Sequence, residues 1–229
     1  MNFLVIVVIC VIFTIILKYI FSYDIKKIKS LQKNEELDEI SKKYPDNIAL
    51  CKKYLKMLNN ENVEIEENKD SESSFYIAVS NKISIGNISK SYSRIQTIAH
   101  ECLHSIQDRK ILLFNFIFSN IYLIYYFIIL GLNIFGVIHN QEIYLTILVV
   151  LGLVYYMVRM YLENDAMIKS RYLAKEYLEK EKISSSNEIE QLVKGFDEIN
   201  DIGIKFVNYS FMVGLFIQIS IFSIISFIR

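Results

Sequence analysis

The sequence predicts an α+β membrane protein with about four transmembrane helices and a small soluble domain that contains a short β-sheet. Of the 229 residues, 53% are apolar and only 22% are charged, and the apolar residues are concentrated in long runs. Between two of these runs, residues 23–110 carry both charge signs and contain short alternating apolar patterns, which are typical of β-strands. The chain has 25 acidic and 25 basic residues, so its charge gives no reason to expect a nucleic-acid partner.

Four apolar runs are long enough to cross a bilayer as helices, at residues 3–20, 111–138, 143–162 and 206–228. The first run has no basic segment before it and no small-residue cleavage site after it, so we expect an uncleaved membrane anchor. The second run contains no charged residue and is long enough to cross the membrane at a tilt.

The distribution of basic residues predicts the orientation of these spans. Lys26, Lys27 and Lys29 follow the first span and Arg159 lies near the end of the third, whereas the turn at residues 139–142 has no Lys or Arg. By the positive-inside rule, the N-terminus faces outside, and the two charged segments of the chain face the cytoplasm. Arg229, which follows the last span, is the exception.

These observations predict five regions in the chain. They are an N-terminal transmembrane anchor (1–22), a cytoplasmic region (23–110), a transmembrane helical hairpin (111–162), a cytoplasmic helical segment (163–205) and a C-terminal transmembrane helix (206–229). Within the fourth region, we expect a break in the helix at the serines of residues 184–186.

The cytoplasmic region is predicted to combine helices with a sheet of two or three strands. Helices are expected at 35–43 and at 46–58, where Asp46 is a typical N-cap residue. Residues 75–79 and 83–85 read as two strands around a tight turn, and residues 63–65 alternate briefly. An irregular loop is the alternative to this hairpin, because the turn lacks the usual glycine.

A metal-binding motif lies near the end of this region, at His100-Glu101-Cys102-Leu103-His104. On a helix, residues four apart lie on the same face, so the two imidazoles can bind one Zn²⁺ and Glu101 can act as the general base of a metallopeptidase. The motif uses two of the three histidines in the chain. The three cysteines form no C-x-x-C pair, and Cys102 is interpreted as a small core residue.

A catalytic zinc site usually has a third protein ligand. The longer H-E-x-x-H-x-x-G-x-x-H pattern fails because Gln107 and Lys110 occupy the positions of its Gly and its third His. His139 is predicted to lie on the opposite side of the membrane. Glu163 is therefore the strongest candidate, because the predicted hairpin brings it back to the side on which the two histidines lie.

The alternative interpretation of Glu163 is an interfacial charge that ends a span. Ala166, Ser170 and Ala174 share a helix face after it and would let another helix approach closely. Asp108 is a candidate to support a ligand, whereas Asp165 is expected to point elsewhere. Aspartates in such positions are more often solvated charges at helix ends.

The arrangement resembles the YugP-like neutral zinc metallopeptidases, a family of small bacterial membrane proteins. The resemblance covers most of the chain: an N-terminal anchor, a helix-and-strand segment, H-E-x-x-H-x-x-Gln, an apolar hairpin, Glu-x-x-Ala and a C-terminal span. Here the two motifs are residues 100–107 and 163–166. The resemblance implies a zincin-like domain with an HExxH helix, zinc ligands at His100, His104 and Glu163, and Glu101 as the catalytic base.

The chain departs from the family pattern at several positions. The family usually has Gly before the second His and Ala after it, where this chain has Leu103 and Ser105. Its Arg after the Glu-x-x-Ala motif also comes sooner than Arg171 does here. A leucine would add bulk beside the site, which affects substrate access and helix packing more than metal binding.

The function predicted from the sequence is that of a gluzincin-like zinc metalloendopeptidase with one Zn²⁺ per chain. Its partners would be a peptide or membrane-protein substrate and the lipid bilayer. The alternatives are a non-catalytic four-span membrane protein and a zinc-binding pseudo-protease. Arg171, Tyr92 and Tyr172 are candidate oxyanion donors, and the strand at 75–79 or at 83–85 could align an extended peptide.

Overall fold

A computed structural model of the protein describes residues 2–22, 30–31 and 34–229. The fold is mostly helical with a small three-stranded mixed sheet, as the sequence predicts. The predicted orientation signal at Lys26, Lys27 and Lys29 lies outside the described residues. In chain order the elements are α1 (Phe3–Phe21), α2 (Glu35–Ser41), α3 (Asn47–Met57), β1 (Glu64–Asn68), β2 (Phe75–Ile77), β3 (Lys82–Gly86), α4 (Arg94–His104), α5 (Arg109–Ile134), α6 (Gln141–Glu181) and α7 (Ser186–Ile228).

Four of these helices are long and apolar enough to span a bilayer. They are α1, α5, α6 and α7, with 19, 26, 41 and 43 residues. Between 11% and 28% of the residues in their most apolar windows are buried inside the protein, so most of the apolar side chains face outward. Such a surface is stable only in a hydrocarbon environment, which indicates a multi-pass membrane protein.

The helix ends differ from the predicted spans. Helix α5 ends at Ile134, because Gly136 takes a left-handed conformation (φ 71°) and the chain leaves the helix in a Schellman motif. In that motif the Val137 N–H donates to the Leu132 carbonyl at 3.0 Å and the Gly136 N–H donates to the Asn133 carbonyl at 3.1 Å. The connection to α6 therefore covers residues 135–140 rather than the predicted turn at 139–142.

Helices α6 and α7 continue from apolar into charged sequence without interruption. The predicted third span and the charged segment after it form a single helix, α6, and α7 likewise includes both kinds of sequence. The predicted break at the serines is confirmed, because α6 ends at Glu181 and α7 begins at Ser186. Ser185 and Glu188 form a capping box there, in which the Ser185 N–H donates to Glu188 Oε2 at 2.9 Å.

The chain forms two compact units, and the first contains residues 1–23, 114–161 and 205–229. Its core is formed by apolar side chains of the long helices, among them Ile129, Leu148 and Phe222. Asn133 is also buried there, and its Nδ2 donates to Ser226 Oγ at 2.8 Å while its Oδ1 accepts from Gln141 Nε2 at 3.0 Å. The buried amide is thus hydrogen-bonded on both sides, as an apolar surrounding requires.

The second unit contains residues 24–113 and 162–204. Its core combines fully buried side chains from α3, the sheet, α4 and the charged parts of α6 and α7: Leu50, Tyr54, Ile83, Ile95, Tyr177 and Phe196. Helix α3 begins as predicted, because the side chain of Asp46 accepts a hydrogen bond from the Ala49 N–H at 2.8 Å. All residues of the HExxH motif, and Glu163, belong to this unit.

The sheet has the strand order β1-β3-β2. The predicted hairpin is confirmed, since β2 and β3 pair antiparallel with Tyr76 opposite Ile83. Strand β1 pairs parallel with β3 and extends to Asn68, through residues that the sequence predicted as a polar turn. Because β3 is paired on both sides, it cannot align a peptide as predicted for residues 83–85; β2 is an edge strand.

Helix α4 begins at Arg94, after a turn that fixes it to α2. The Tyr92 N–H donates to Asp38 Oδ1 at 2.7 Å. The buried guanidinium of Arg94 donates to the carbonyls of Ser41, Tyr44 and Pro45 and to Asn47 Oδ1, at 2.7 to 3.2 Å. Arg94 therefore donates hydrogen bonds to carbonyl groups at and after the end of α2, and it fixes the start of the helix that carries the motif.

We expect Arg94→Lys to lower the free energy of unfolding by about 2–4 kcal/mol, because an ammonium group cannot reach all four acceptors and leaves buried carbonyls unpaired. Chemical unfolding in detergent, followed by circular dichroism, measures this loss. Arg109→Lys is the matched control, because Arg109 is exposed at the start of α5. Equal stability of the two variants would contradict this role for Arg94.

Candidate metal centre

Helix α4 holds the motif residues on a largely buried helix. Ile95, Ala99 and Cys102 are fully buried and form an apolar stripe, which packs into the core of the second unit. Ile106 lies beyond the end of α4 and is 47% exposed. Since the apolar face is fixed in the core, the orientation of His100, Glu101 and His104 is fixed as well.

The side chains of His100, His104 and Glu163 form a cluster that could hold a metal ion. The two Nε2 atoms are 3.0 Å apart, and Glu163 Oε2 lies 3.4 Å from the Nε2 of His100 and 3.7 Å from that of His104. Ligand atoms bound about 2.1 Å from a tetrahedral Zn²⁺ are about 3.3 Å from one another. The donor atoms thus have the types and the spacing of three ligands of one such ion.

Glu163 reaches the histidines because small residues follow it on α6. Ala166, Ser170 and Ala174 are buried, as expected for the face on which another helix packs closely. Gln96 of α4 donates through Nε2 to Ser170 Oγ at 3.3 Å, which links α4 to this face. The predicted position of Glu163 beside the motif agrees with this arrangement.

Glu101 lies beside the cluster and is almost completely buried, with 6% of its surface exposed. Burial raises the pKa of its carboxyl group, the two histidines lower it, and the charge of Glu163 raises it again, with a net increase. The backbone of Tyr76, in edge strand β2, also lowers this pKa. Glu101 therefore lies next to the candidate ligands and close to edge strand β2.

Gln107 and Asp165 support the cluster, and the sequence did not predict this. Gln107 Oε1 lies 2.8 Å from His104 Nδ1, and Gln107 Nε2 donates to the Leu162 carbonyl at 2.8 Å and to Asp165 Oδ2 at 3.2 Å. Burial lowers the pKa of His104, but its contacts with Glu163, Glu101 and Gln107 raise it by more. The sequence signals for this contact are the spacing of three residues between His104 and Gln107 and the place of Gln107 at the end of the H-E-x-x-H-x-x-Gln motif.

Asp108, which the sequence predicted as a support for a ligand, instead begins α5. Its Oδ1 accepts from the Lys110 N–H at 2.7 Å, and its carbonyl accepts from the Leu112 N–H at 3.0 Å. His139 is exposed in the connection between α5 and α6 and belongs to the first unit. Neither residue is part of the cluster formed by His100, His104 and Glu163.

The three candidate oxyanion donors have other partners. Tyr92 is fully buried in the core, where its ring stacks on Phe196 with the centroids 6.1 Å apart. Arg171 donates to Asp197 Oδ1 at 3.3 Å and to the hydroxyl group of Tyr172 at 2.8 Å. Within the part of the chain that the structure describes, the contacts of these side chains thus provide no donor to the cluster.

Leu103 is a buried core residue. Only 5% of its surface is exposed, and it packs with the apolar side chains of the core. Its neighbour Cys102 is also buried in the core, where its Sγ lies 3.5 Å from that of Cys51. The expectation that Leu103 adds bulk beside the site stays a prediction, because residue 103 is also one helical turn from His100.

We expect Leu103→Ala to destabilise the protein by about 2–5 kcal/mol, because it leaves a cavity in the core. The affinity of the folded variant for a divalent metal should not change, since Leu103 provides no ligand atom. Chemical unfolding and a chelator competition assay measure the two quantities. Ile106→Ala is the control for removing an exposed apolar side chain, and tighter metal binding by Leu103→Ala alone would contradict this account.

No protein family model, curated protein or solved structure matches this chain. Its function is therefore inferred from the cluster itself: two imidazole nitrogens and one carboxylate oxygen, a second carboxylate beside them, and four helices capable of spanning a membrane.

Proposed function

We propose that this protein is a membrane-embedded zinc metallopeptidase that hydrolyses peptide bonds at the cytoplasmic membrane surface. One Zn²⁺ per chain is held by His100, His104 and Glu163, and Glu101 is the general base. The observation that carries the proposal is the triangle of three donor atoms with a buried carboxylate beside it.

The donor set favours zinc over other common ions. Two imidazoles and one carboxylate are typical ligands of catalytic zinc, which keeps a fourth position open. Magnesium and calcium prefer sites built from oxygen atoms, and a structural zinc usually has four protein ligands. The three residues of the cluster fit a site with one position left for a water molecule or a substrate.

The residues around the site have complementary tasks in hydrolysis. A Zn²⁺ held by His100, His104 and Glu163 would supply a nucleophilic water at neutral pH and would polarise the carbonyl group of the substrate. Glu101 accepts the proton of the attacking water and transfers it to the leaving amine. Burial favours this exchange, because it raises the pKa of Glu101 towards the range in which a carboxyl group can both take up and release a proton.

Strand β2 is the surface that aligns the substrate in this proposal. It is an edge strand of the sheet, and the backbone of Tyr76 contacts the carboxylate of Glu101. An extended peptide that adds to β2 by backbone hydrogen bonds would pass next to the general base. This supports peptides in extended conformation, rather than small amides, as the substrate class.

The proposed location follows from the sequence around Glu163. In α6, this residue comes directly after the apolar run 143–162 and precedes a charged segment. The distribution of basic residues favours the cytoplasmic side for that segment. A site at this level would act on membrane proteins or peptides near the bilayer surface.

The resemblance to the YugP-like metallopeptidases supports the same assignment. Both motifs that carry it, His100-Glu101-Cys102-Leu103-His104 and Glu163-Asn164-Asp165-Ala166, contribute side chains to the cluster. Leu103, which replaces the usual Gly of that family, is the reason to consider a zinc-binding pseudo-protease. That alternative and a non-catalytic membrane protein are distinguished by the following experiments.

We expect about one zinc per chain in the full-length protein purified in detergent. His100→Ala should lose the metal because one of the three ligands is missing, whereas His139→Ala should keep it. Glu163→Gln should bind zinc at least tenfold more weakly, since an amide is a poorer ligand than a carboxylate, and Glu176→Gln, an exposed exchange in the same helix, should not. Metal analysis by mass spectrometry and chelator competition give the two quantities.

We expect Glu101→Gln to retain zinc but to lose hydrolysis by about 100- to 10,000-fold, because the amide cannot accept a proton. Cleavage of casein, used as an unfolded probe, measures the activity, and the zinc content of the same preparation is the internal control. Glu176→Gln should cleave like the unchanged protein.

The outcomes separate the three functions. A zinc-free but helical wild-type protein would rule out the proposed metallopeptidase and would favour a non-catalytic membrane protein. Zinc binding that depends on His100, without cleavage of soluble or membrane-inserted peptides, would instead identify a zinc-binding pseudo-protease.

A further inference from the structure

The side chain of Gln107 connects one candidate metal ligand to the helix that carries another. It lies in the turn after α4, and His104 is the last residue of that helix. One end of the amide contacts the ring of His104, and the other end contacts α6 at Leu162 and Asp165. Leu162 immediately precedes Glu163 in the chain.

The partners of the amide define which end faces the imidazole. The Leu162 carbonyl and Asp165 Oδ2 accept hydrogen bonds, so the NH₂ group of Gln107 must face them. Its carbonyl oxygen is thereby directed at His104 Nδ1, 2.8 Å away. An oxygen in that position accepts the Nδ1–H of a neutral imidazole, which leaves the Nε2 lone pair directed at His100 and Glu163.

We propose that Gln107 is a positioning residue of the metal site, which fixes the ring of His104 and couples that ring to the backbone of α6 next to Glu163. The proposal depends on the metal site proposed above. His104 needs such support because α4 ends at this residue, so no further helical turn packs against it. Hydrogen bonds to the distal nitrogen of a metal-binding histidine typically change the metal affinity by about 10- to 100-fold.

A simpler explanation is that Gln107 only ties two helices together. Gln96 provides the control for this explanation, because it also links α4 to α6, through Ser170, and is itself buried. The hydrogen bond from Gln96 to Ser170 involves neither histidine. If the link between the two helices were the whole contribution of Gln107, removing either glutamine would weaken metal binding equally.

The experiment compares zinc affinities of the full-length protein in detergent, by competition with a chromophoric chelator. We expect Gln107→Leu, which preserves size but removes all three contacts, to bind zinc about 10- to 100-fold more weakly. Gln107→Glu combined with Asp165→Asn should recover part of the affinity, because the new carboxylate accepts the hydrogen bond from His104 and the new amide can donate to that carboxylate. Gln96→Leu should bind zinc like the unchanged protein, and circular dichroism verifies that each variant is folded.

The proposal is overturned if Gln107→Leu binds zinc within twofold of the wild type, or if Gln96→Leu loses as much affinity. It is also overturned if the double variant Gln107→Glu, Asp165→Asn binds no better than Gln107→Leu. If the wild-type protein itself binds no zinc, or binds it independently of His100, the metal site proposed above fails, and this result is distinct from a failure of Gln107 alone.

Discussion

The candidate site depends on the close packing of helix α4 against helix α6. His100 and His104 come from α4, whereas Glu163 follows much later in the chain, so the three donors meet only while these helices stay in contact. The buried small residues Ala166 and Ser170 allow that contact, because larger side chains would separate the helix backbones. Side-chain packing in the core therefore determines the geometry of the polar site.

Local patterns predicted most elements of the fold, and contacts between distant segments escaped prediction. Asp46 marked the start of α3, and alternation predicted the β2–β3 hairpin, because capping and strand patterns involve neighbouring residues. The parallel pairing of β1 with β3 joins segments that are not adjacent in the sequence, so no local pattern indicates it. The continuity of α6 was missed for another reason: composition changes after Leu162, but no Pro or Gly ends the helix there.

The candidate site was predictable to the extent that it depends on helical spacing and on the order of the apolar runs. Helical spacing placed His100 beside His104, and the expected hairpin placed Glu163 near them. The role of Gln107 depends on where α4 ends and on how the following turn folds back, which the sequence does not reveal. The burial of Leu103 likewise depends on how α4 packs in the core, which composition alone does not show.

The charges of the site give an independent reason to expect a divalent cation. Glu101 and Glu163 are two carboxylates in a mostly buried cluster. The charge of Glu163 raises the pKa of Glu101, and both carboxylates raise the pKa of His104. Burying such charges without compensation is costly. Protonated histidines could balance them, but an imidazolium has no lone pair to bind a metal. A divalent ion would balance both carboxylates and would let His100 and His104 stay neutral. The arrangement that would neutralise the cluster is thus also the one that the proposed hydrolysis would require.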